Sequence, residues 1–464
     1  MVKRLLYSQS ARLLVGLVLI SCGVLIVLGG SVYGFHCCDT PYMMFNIRTP
    51  ERGPVAMLTF RLAHLWCECF GYSFESLGWL RSICSLVTFG IGCGWMAVRT
   101  RRYLLSAAVF FVVCLLGEFC QAHYFNWDTG VFPWFVINAI IALEYVRRPS
   151  RCKVILMGIF LALLVMARFP AAVCSIIDFI LVIYMHTRIS DEKKHCLIWD
   201  ILSGITAFII TVIGLMIAMC GSVSGFIGTL VPDNFINGHF SLISYYYRLQ
   251  LFGPVIATWG ATMILVAGAW FASVSHCRMW KKVLVVLISY IICVNICSLA
   301  NTDGETPSYG LGQALMLVAV CTAYYQHRRD NNAWSYNTSL VVIMAYAVSA
   351  AIGSDSIAWR LLGLPVLPLA AAYIDYDSRA VRVAFKILVA ELSVMGLCHS
   401  ASTYRDISHG RYVKVDSLPA VGIQYATPDD MAWIGWAADA RECNDLLKQN
   451  DIKVAYMGGF PMMG

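Results

Sequence analysis

Asp39 is the residue best placed for chemistry, in the segment HCCDTPYMM that follows the first long apolar stretch of the chain. A carboxylate acts as a general base when it lies within hydrogen-bond reach of the proton that it removes. An ionisable side chain at a membrane face is a functional candidate, because burying it without a partner is costly. The alternative interpretation of Asp39 is a solvated carboxylate or a helix cap.

A second group of polar residues follows the third apolar stretch, in the segment GEFCQAHYFNWDTG. It contains Glu118, His123 and Asp128. If this segment converges with Asp39 on one pocket, its acids suit general base chemistry or a divalent metal, so the sequence leaves metal binding open. In the alternative interpretation, Asp128 caps the turn before the next span and Glu118 pairs with an arginine.

Three arginines stand at the ends of apolar stretches: Arg168, Arg248 and Arg360. The planar guanidinium fork suits the phosphate or pyrophosphate of a lipid-linked donor. Snorkelling of the long side chain to lipid headgroups is the alternative for each of them. Arg168 is the hardest to explain in that way, because Pro170 breaks the helix directly after it.

Other ionisable residues are weaker candidates. Asp178 and Glu391 lie inside apolar stretches, where acids in transporters form proton relays. Neither has a basic partner within sequence reach, which favours a structural pairing or a protonated core residue. His64 and Glu68, four residues apart, resemble half of a metal site.

The composition indicates that membrane helices position these residues. Of 464 residues, 59% are hydrophobic and 13% are charged, where a soluble domain has about 25%. The mean hydropathy is +0.69. Most of the 19 cysteines lie in apolar stretches, but Cys37, Cys38, Cys67 and Cys69 lie outside the predicted spans and could oxidise. The sequence predicts an all-α polytopic membrane protein with about thirteen spans, at roughly 12–34, 82–98, 103–120, 131–146, 153–168, 171–186, 199–221, 251–274, 283–300, 310–325, 338–352, 359–374 and 383–399.

The positive charges predict the orientation of these spans. With a cytoplasmic N-terminus, 21 of the 34 Lys and Arg residues fall on the cytoplasmic side, in short clusters such as 99–102, 147–153 and 278–282. This is the positive-inside rule. Merging the stretches 153–168 and 171–186 into one broken helix scatters the clusters over both faces, so we predict two separate spans. All the candidate residues at span ends then lie on the outer side.

Two regions follow from this threading. Residues 1–399 form the membrane domain, whose long first outer loop at 35–80 contains a predicted amphipathic helix at 54–70. A second outer loop at about 222–250 is rich in aromatic residues. Residues 400–464 are more polar and predict a small periplasmic α/β segment, with a helix at 428–448 and a strand at Ile452–Met457. Its stop at Gly464 is typical of an incomplete domain.

The segment from Asp39 through Gly53-Pro54 and Phe70-Gly71-Tyr72-Ser73 to Leu80-Arg81 resembles the opening of the GT-C class of multi-span glycosyltransferases. That class includes protein O-mannosyltransferases and lipid A aminoarabinose transferases, and the chain looks most like a Bacteroides-type branch of it. Members carry an acid in a long first outer loop with interfacial helices. The chain departs from the best-known members because Asp39 is not part of a pair of acids.

The resemblance implies a bacterial inner-membrane enzyme that moves a sugar from a polyprenyl-phosphate donor to a glycan, lipid or protein acceptor. Asp39 would be its catalytic base, and Arg168, Arg248 and Arg360 would bind the donor phosphate. Glu118, His123 and Asp128 would bind the acceptor or support the site. The alternatives are a transporter or flippase of lipid-linked glycan and an O-antigen-type polymerase. No stretch of the sequence resembles a nucleic-acid-binding patch.

Overall fold

The structure is a computed structural model. It describes residues 9–32, 39–48, 56–120, 125, 127–188, 197–229, 334–349, 363–373, 413–415 and 424–426, together with scattered positions between 264 and 292. This part of the chain is almost entirely helical, as the sequence predicts.

The helices are numbered here in chain order. They are α1 (Gln9–Gly29), α2 (Asp39–Arg48), α3 (Met57–Phe70), α4 (Phe74–Thr100), α5 (Tyr103–Cys120), α6 (Trp127–Arg147), α7 (Arg151–Ala167), α8 (Val173–Arg188), α9 (Leu197–Cys220), α10 (Val223–Thr229), α11 (Trp334–Ser349) and α12 (Gly363–Ala371). Two short strands, β1 (Val413–Val415) and β2 (Gln424–Ala426), pair antiparallel.

The first seven predicted spans each correspond to one helix, and the predicted amphipathic helix corresponds to α3. Four helices of the described part are long and apolar enough to cross a membrane: α1, α4, α6 and α9. The count of thirteen spans stays a prediction, since most of the later ones lie outside the described residues. So do the predicted tail helix at 428–448 and strand at Ile452–Met457. The pairing of β1 with β2 was not predicted.

Short-range chemistry sets the boundaries of α3 and α4. Gly71 ends α3 with a φ of 92°, a left-handed conformation that glycine adopts without a steric penalty. The Ser73 side chain then caps α4 by accepting a hydrogen bond from the Ser76 N–H at 3.1 Å. Gly71 and Ser73 therefore fix the turn between α3 and α4. At its other end, α4 stops at Arg101, which has the left-handed conformation with a φ of 56°.

The chain between α7 and α8 forms two helices and not one broken helix. Arg168 has extended backbone angles, φ −158° and ψ 110°, and a short 3-10 turn at Phe169–Ala172 follows it. Gly158 on α7 and Asp178 on α8 line the same cavity, so the chain turns back after Arg168. Pro170 accounts for the break, because it has no N–H to continue the helix.

Close contacts give the directions of neighbouring helices. A Cβ on Gly23 of α1 would lie 3.3 Å from Cys114 on α5, and one on Gly16 would lie 3.8 Å from Ala107, so these helices run parallel. The Ser82 hydroxyl on α4 donates to the Val27 carbonyl at 2.9 Å, and α4 runs antiparallel to α1. The alternation agrees with the order in which the predicted spans cross.

Helix α3 lies across one end of the bundle. Thr59 donates a hydrogen bond to the Ala167 carbonyl at 2.9 Å, where α7 ends. Arg61 donates to the Met219 carbonyl at 2.7 Å, near the end of α9. Trp66 donates to the Ser76 carbonyl at 2.9 Å, near the start of α4. We call this the covered end, and it is the end that the charge pattern assigns to the outer side.

Large apolar side chains face outward along several helices. Leu13, Leu14 and Leu17 are exposed on α1, and Ile209 and Ile210 are exposed on α9. Soluble monomers rarely expose contiguous apolar surface on this scale. Together with the four long apolar helices, these surfaces indicate a helical membrane protein.

Helices α7 and α9 pack through glycines, which supports a first prediction. A Cβ on Gly158 would lie 2.3 Å from the Gly204 carbonyl oxygen, a backbone atom that cannot move aside. We therefore expect Gly158→Ala to push the helices apart and to destabilise the protein by about 1–3 kcal/mol. The measurement is the melting temperature of the purified protein in lipid nanodiscs.

Gly214→Ala on α9 is the matched control, because a Cβ there meets nothing within 4 Å. It gains the same helix propensity as Gly158→Ala without the clash, so we expect an unchanged or higher melting temperature. Equal melting temperatures for the two variants would contradict the close packing of α7 on α9.

Candidate functional site

The covered end brings together three segments that are distant in the sequence. The Thr59 hydroxyl binds the Ala167 carbonyl, and a Cβ on Gly130 would lie 2.4 Å from the Thr59 side chain. The start of α6, the end of α7 and the start of α3 therefore meet at Thr59. Arg168 and Asp128, two predicted site residues, are one and two residues away from these contact points.

Arg168 is buried at this meeting point, with 5% of its surface exposed. Its backbone N–H donates to the Leu164 carbonyl at 3.0 Å, and its backbone carbonyl accepts from the Ala171 N–H at 3.0 Å. A snorkelling arginine keeps its charged head in water or among headgroups. The snorkelling interpretation of Arg168 is therefore wrong, because this guanidinium is held inside the protein.

Arg81 is a second buried cation at the covered end, and the sequence did not single it out as a site residue. It lies in the second turn of α4 and is 0% exposed. It directly precedes Ser82, whose hydroxyl binds the Val27 carbonyl. Burying a charge costs several kcal/mol unless polar groups compensate it. Its position at the start of a predicted span, where arginines commonly snorkel, gave no signal of this burial.

The helix ends bring the predicted acids to the same end of the bundle. Asp39 is the first residue of α2, and Asp128 is the second residue of α6. Glu118 lies in the last turn of α5. Because α5 packs parallel to α1, the backbone of Glu118 lies level with Val27 of α1. Val27 accepts a hydrogen bond from Ser82, the residue after Arg81, so Glu118 and Arg81 lie at the same level of the bundle. The side chains of these three acids lie outside the described part of the chain. His123, Arg248 and Arg360 lie outside it entirely.

His64 joins α2, α3 and the turn after α3. Its Nδ1 is 2.9 Å from the Ile47 carbonyl oxygen and 2.8 Å from the Tyr72 hydroxyl. Its Nε2 is 3.3 Å from a Glu68 carboxylate oxygen. Both ring nitrogens thus contact protein groups, and the Nδ1 contact with Ile47 joins α3 to α2. The described residues contain no group of three or more His, Cys, Asp or Glu side chains that could hold a metal.

Two groups near His64, the Cys67 thiol and the Tyr72 hydroxyl, have raised pKa values. Burial raises the pKa of the Cys67 thiol to about 11. Burial, and then the charge of Glu68, raises the pKa of the Tyr72 hydroxyl. Cys67 and Cys69 are both free thiols, so the structure does not contain the disulfide that their position outside the membrane left open. Cys37 and Cys38 lie outside the described residues.

The two cysteines support a second prediction. At mildly alkaline pH, Cys67 should carry about a hundredth of the thiolate of an ordinary cysteine with a pKa of 9.0, and 1% of its surface is exposed. We expect a charged maleimide to label exposed Cys69 at least about 100-fold faster than Cys67, measured by peptide mass spectrometry. Similar rates would contradict the packing of α3 on α2.

A buried polar cluster lies inside the bundle, away from the covered end. The Asn138 side-chain amide on α6 donates to Asp178 Oδ2 on α8 at 2.9 Å and contacts the Tyr346 hydroxyl on α11 at 2.7 Å. Tyr346 donates to Asp178 Oδ1 at 2.5 Å. Asp178 thus has hydrogen-bond partners inside the bundle, which fits both alternatives that the sequence favoured, a structural pairing or a protonated core residue. Neither partner was singled out, although an asparagine in an apolar stretch was a usable signal.

These features define the class of the chain: a helical membrane protein in which helix α3 is fastened over one end of the bundle. Buried polar groups lie next to α3 and inside the bundle. No family model, curated protein or solved structure matches the chain.

Proposed function

We propose that the chain is a membrane glycosyltransferase that transfers a sugar from a polyprenyl-phosphate donor to an acceptor hydroxyl at the covered end. The acceptor is a glycan, a lipid or a protein. The reaction takes place on the periplasmic face of a bacterial inner membrane. The resemblance of residues 39–81 to the GT-C class supports this proposal, as does the geometry of that end.

The observation that carries the proposal is the position of α3. This helix from the first loop binds the ends of α7 and α9 and contacts the start of α6, next to buried Arg168. A transferase that acts on a lipid-linked donor needs a site at the membrane face from which bulk water is excluded. The position of α3 over the ends of several spans supports a site of this kind.

The proposed reaction is a direct displacement with inversion. Asp39 removes the proton of the acceptor hydroxyl, whose oxygen forms a bond to the anomeric carbon of the sugar. The bond between that carbon and the phosphate oxygen breaks, and polyprenyl phosphate leaves with the bonding electron pair. Arg168, Arg248 or Arg360 stabilises the charge that develops on the phosphate. Glu118, His123 and Asp128 position the acceptor.

The test is sugar transfer by the full-length protein in lipid vesicles. Vesicles with the purified chain receive a panel of radiolabelled polyprenyl-phosphate sugars and an extract of envelope glycans, lipids and proteins. We expect label to move to an acceptor as polyprenyl phosphate is released. Release without the acceptor extract indicates hydrolysis, and no release from any donor would refute the proposal.

A transporter or flippase of lipid-linked glycan is the second candidate, and the buried Asp178 cluster favours it. Acids inside membrane spans commonly mark substrate or ion pathways. Asp178 also lines a cavity of about 380 Å³ between α7, α8 and α9. This candidate predicts movement of intact lipid-linked glycan between leaflets with no cleavage of the phosphate bond, which the same vesicles can measure.

A further inference from the structure

Asp178 stands in an environment that does not support a carboxylate charge. It is 5% exposed, and the cavity beside it is lined almost entirely by apolar side chains, with Ser175 as the other polar one. Its two hydrogen-bond donors, Asn138 and Tyr346, are both neutral. Two neutral donors orient a carboxylate, but they leave its full negative charge in an apolar medium.

The charged residues described on the surrounding helices lie away from the cluster. Arg151 on α7 pairs with Asp200 on α9 at 2.9 Å, and Lys153 donates to the carbonyls of Glu144 and Arg148. Glu144 follows Asn138 by six residues on α6, roughly 9 Å along the axis. On α8 itself the titratable residues are Cys174, Tyr184, His186 and Arg188, and α11 carries only the tyrosines Tyr336 and Tyr346.

A second observation concerns Asn138, which is fully buried. Its Oδ1 has no hydrogen-bond partner among the described residues, while its Nδ2 contacts both other members of the cluster. The assignment of oxygen and nitrogen in an amide follows from its surroundings. A half-turn of this amide would present Oδ1 as an acceptor to Asp178, which is the arrangement that a protonated acid requires.

The spacing within the cluster leaves little room for a metal ion. The polar atoms of Asp178, Asn138 and Tyr346 are already within 2.5 to 2.9 Å of one another. A sodium ion between them would have to separate all three groups. A proton neutralises the acid without any displacement.

We propose that the Asp178–Asn138–Tyr346 cluster is a proton-binding site that links α6, α8 and α11. Asp178 holds the proton on the oxygen that faces Asn138, and the proton comes from water that enters the adjacent cavity. In this state the cluster is neutral and the three helices are joined. Loss of the proton to water leaves a buried charge and weakens the packing of α8 against its neighbours. This site is independent of the glycosyltransferase proposal.

The first test is infrared difference spectroscopy of the full chain in lipid nanodiscs at neutral pH. We expect the carbonyl stretch of a buried protonated carboxylic acid, shifted by deuterium exchange. Asp178→Asn, which keeps the shape and neutrality of the protonated acid, should remove the band completely. The matched control is Asp200→Asn, whose acid pairs with Arg151, and it should keep the band. A spectrum of Asp178→Asn that equals the wild type would overturn the proposal.

The second test is the pH dependence of the melting temperature. Unfolding exposes Asp178 to water, where it ionises at neutral pH, so the folded chain binds more protons than the unfolded chain. The stability of the wild type should therefore fall as the pH rises. We expect a decrease of about 2–8 °C from mildly acidic to mildly alkaline pH, and a flatter profile in Asp178→Asn. Identical profiles would refute the site.

A salt series distinguishes the proton from a metal ion. At fixed pH and ionic strength, sodium chloride and choline chloride should give the same melting temperature. A higher value in sodium that Asp178→Asn abolishes would overturn the proton as the ligand.

Discussion

Replacing Asp39 with asparagine is expected to lower the rate of sugar transfer by about 10²- to 10⁴-fold, the usual contribution of a general base. Asparagine keeps the size of the side chain but cannot accept the proton of the acceptor hydroxyl. Asp39 is the first residue of α2, and asparagine has nearly the size and the helix propensity of aspartate. The folding of the variant should therefore be preserved, and its melting temperature should equal that of the wild type.

The rate is measured as transfer from a radiolabelled polyprenyl-phosphate sugar in vesicles with equal amounts of each protein. Glu68→Gln is the matched control, since Glu68 lies in the same loop and 56% of its side chain is exposed. We expect this control to transfer sugar at the wild-type rate. Equal transfer by Asp39→Asn and wild type would exclude Asp39 as the base.

Replacing Arg168 with alanine is expected to lower the transfer rate by about 10²- to 10³-fold, the effect of removing one group that stabilises charge in the transition state. Arg168→Lys keeps the charge but loses the planar fork that matches a phosphate. It should therefore fall between alanine and the wild type. The expected order of rates is arginine, then lysine, then alanine.

Because Arg168 is buried, its removal could also disturb the end of α7. The melting temperature of each variant separates the two effects. Arg147→Ala is the control, since Arg147 is half-exposed at the opposite end of the bundle, 3.8 Å from Glu144. We expect wild-type transfer from it. A full transfer rate in folded Arg168→Ala would contradict a role for Arg168 in binding the donor phosphate.

Local patterns in the sequence account for much of the described fold. A stretch of about 20 apolar residues must form a helix in a membrane, because lipid cannot satisfy exposed backbone groups. The predicted stretches 103–120 and 171–186 correspond closely to α5 and α8 for this reason. Pro170 predicted the break after Arg168, because proline has no N–H to continue the helix. Spacing of apolar residues similarly predicted α3.

The covered end was only partly predictable. Placing Asp39, Asp128 and Arg168 at the same end required only the alternation of spans. The burial of Arg81 and Arg168 depends on which helices pack side by side, and apolar helices in lipid carry weak sequence signals for their neighbours. Snorkelling was thus a reasonable interpretation of Arg168 until α3 was found next to it.

By itself, the sequence determined that the chain crosses a membrane as helices and that Asp39, Glu118, Asp128 and Arg168 stand at span ends. Both follow from the hydrophobic length of each segment and from the alternation of spans. Only the tertiary structure decided that α3 fastens to the ends of α7 and α9, and that Asn138, Asp178 and Tyr346 meet. Those contacts join residues up to 208 positions apart. Their physical basis is side-chain packing between helices, which no local period encodes.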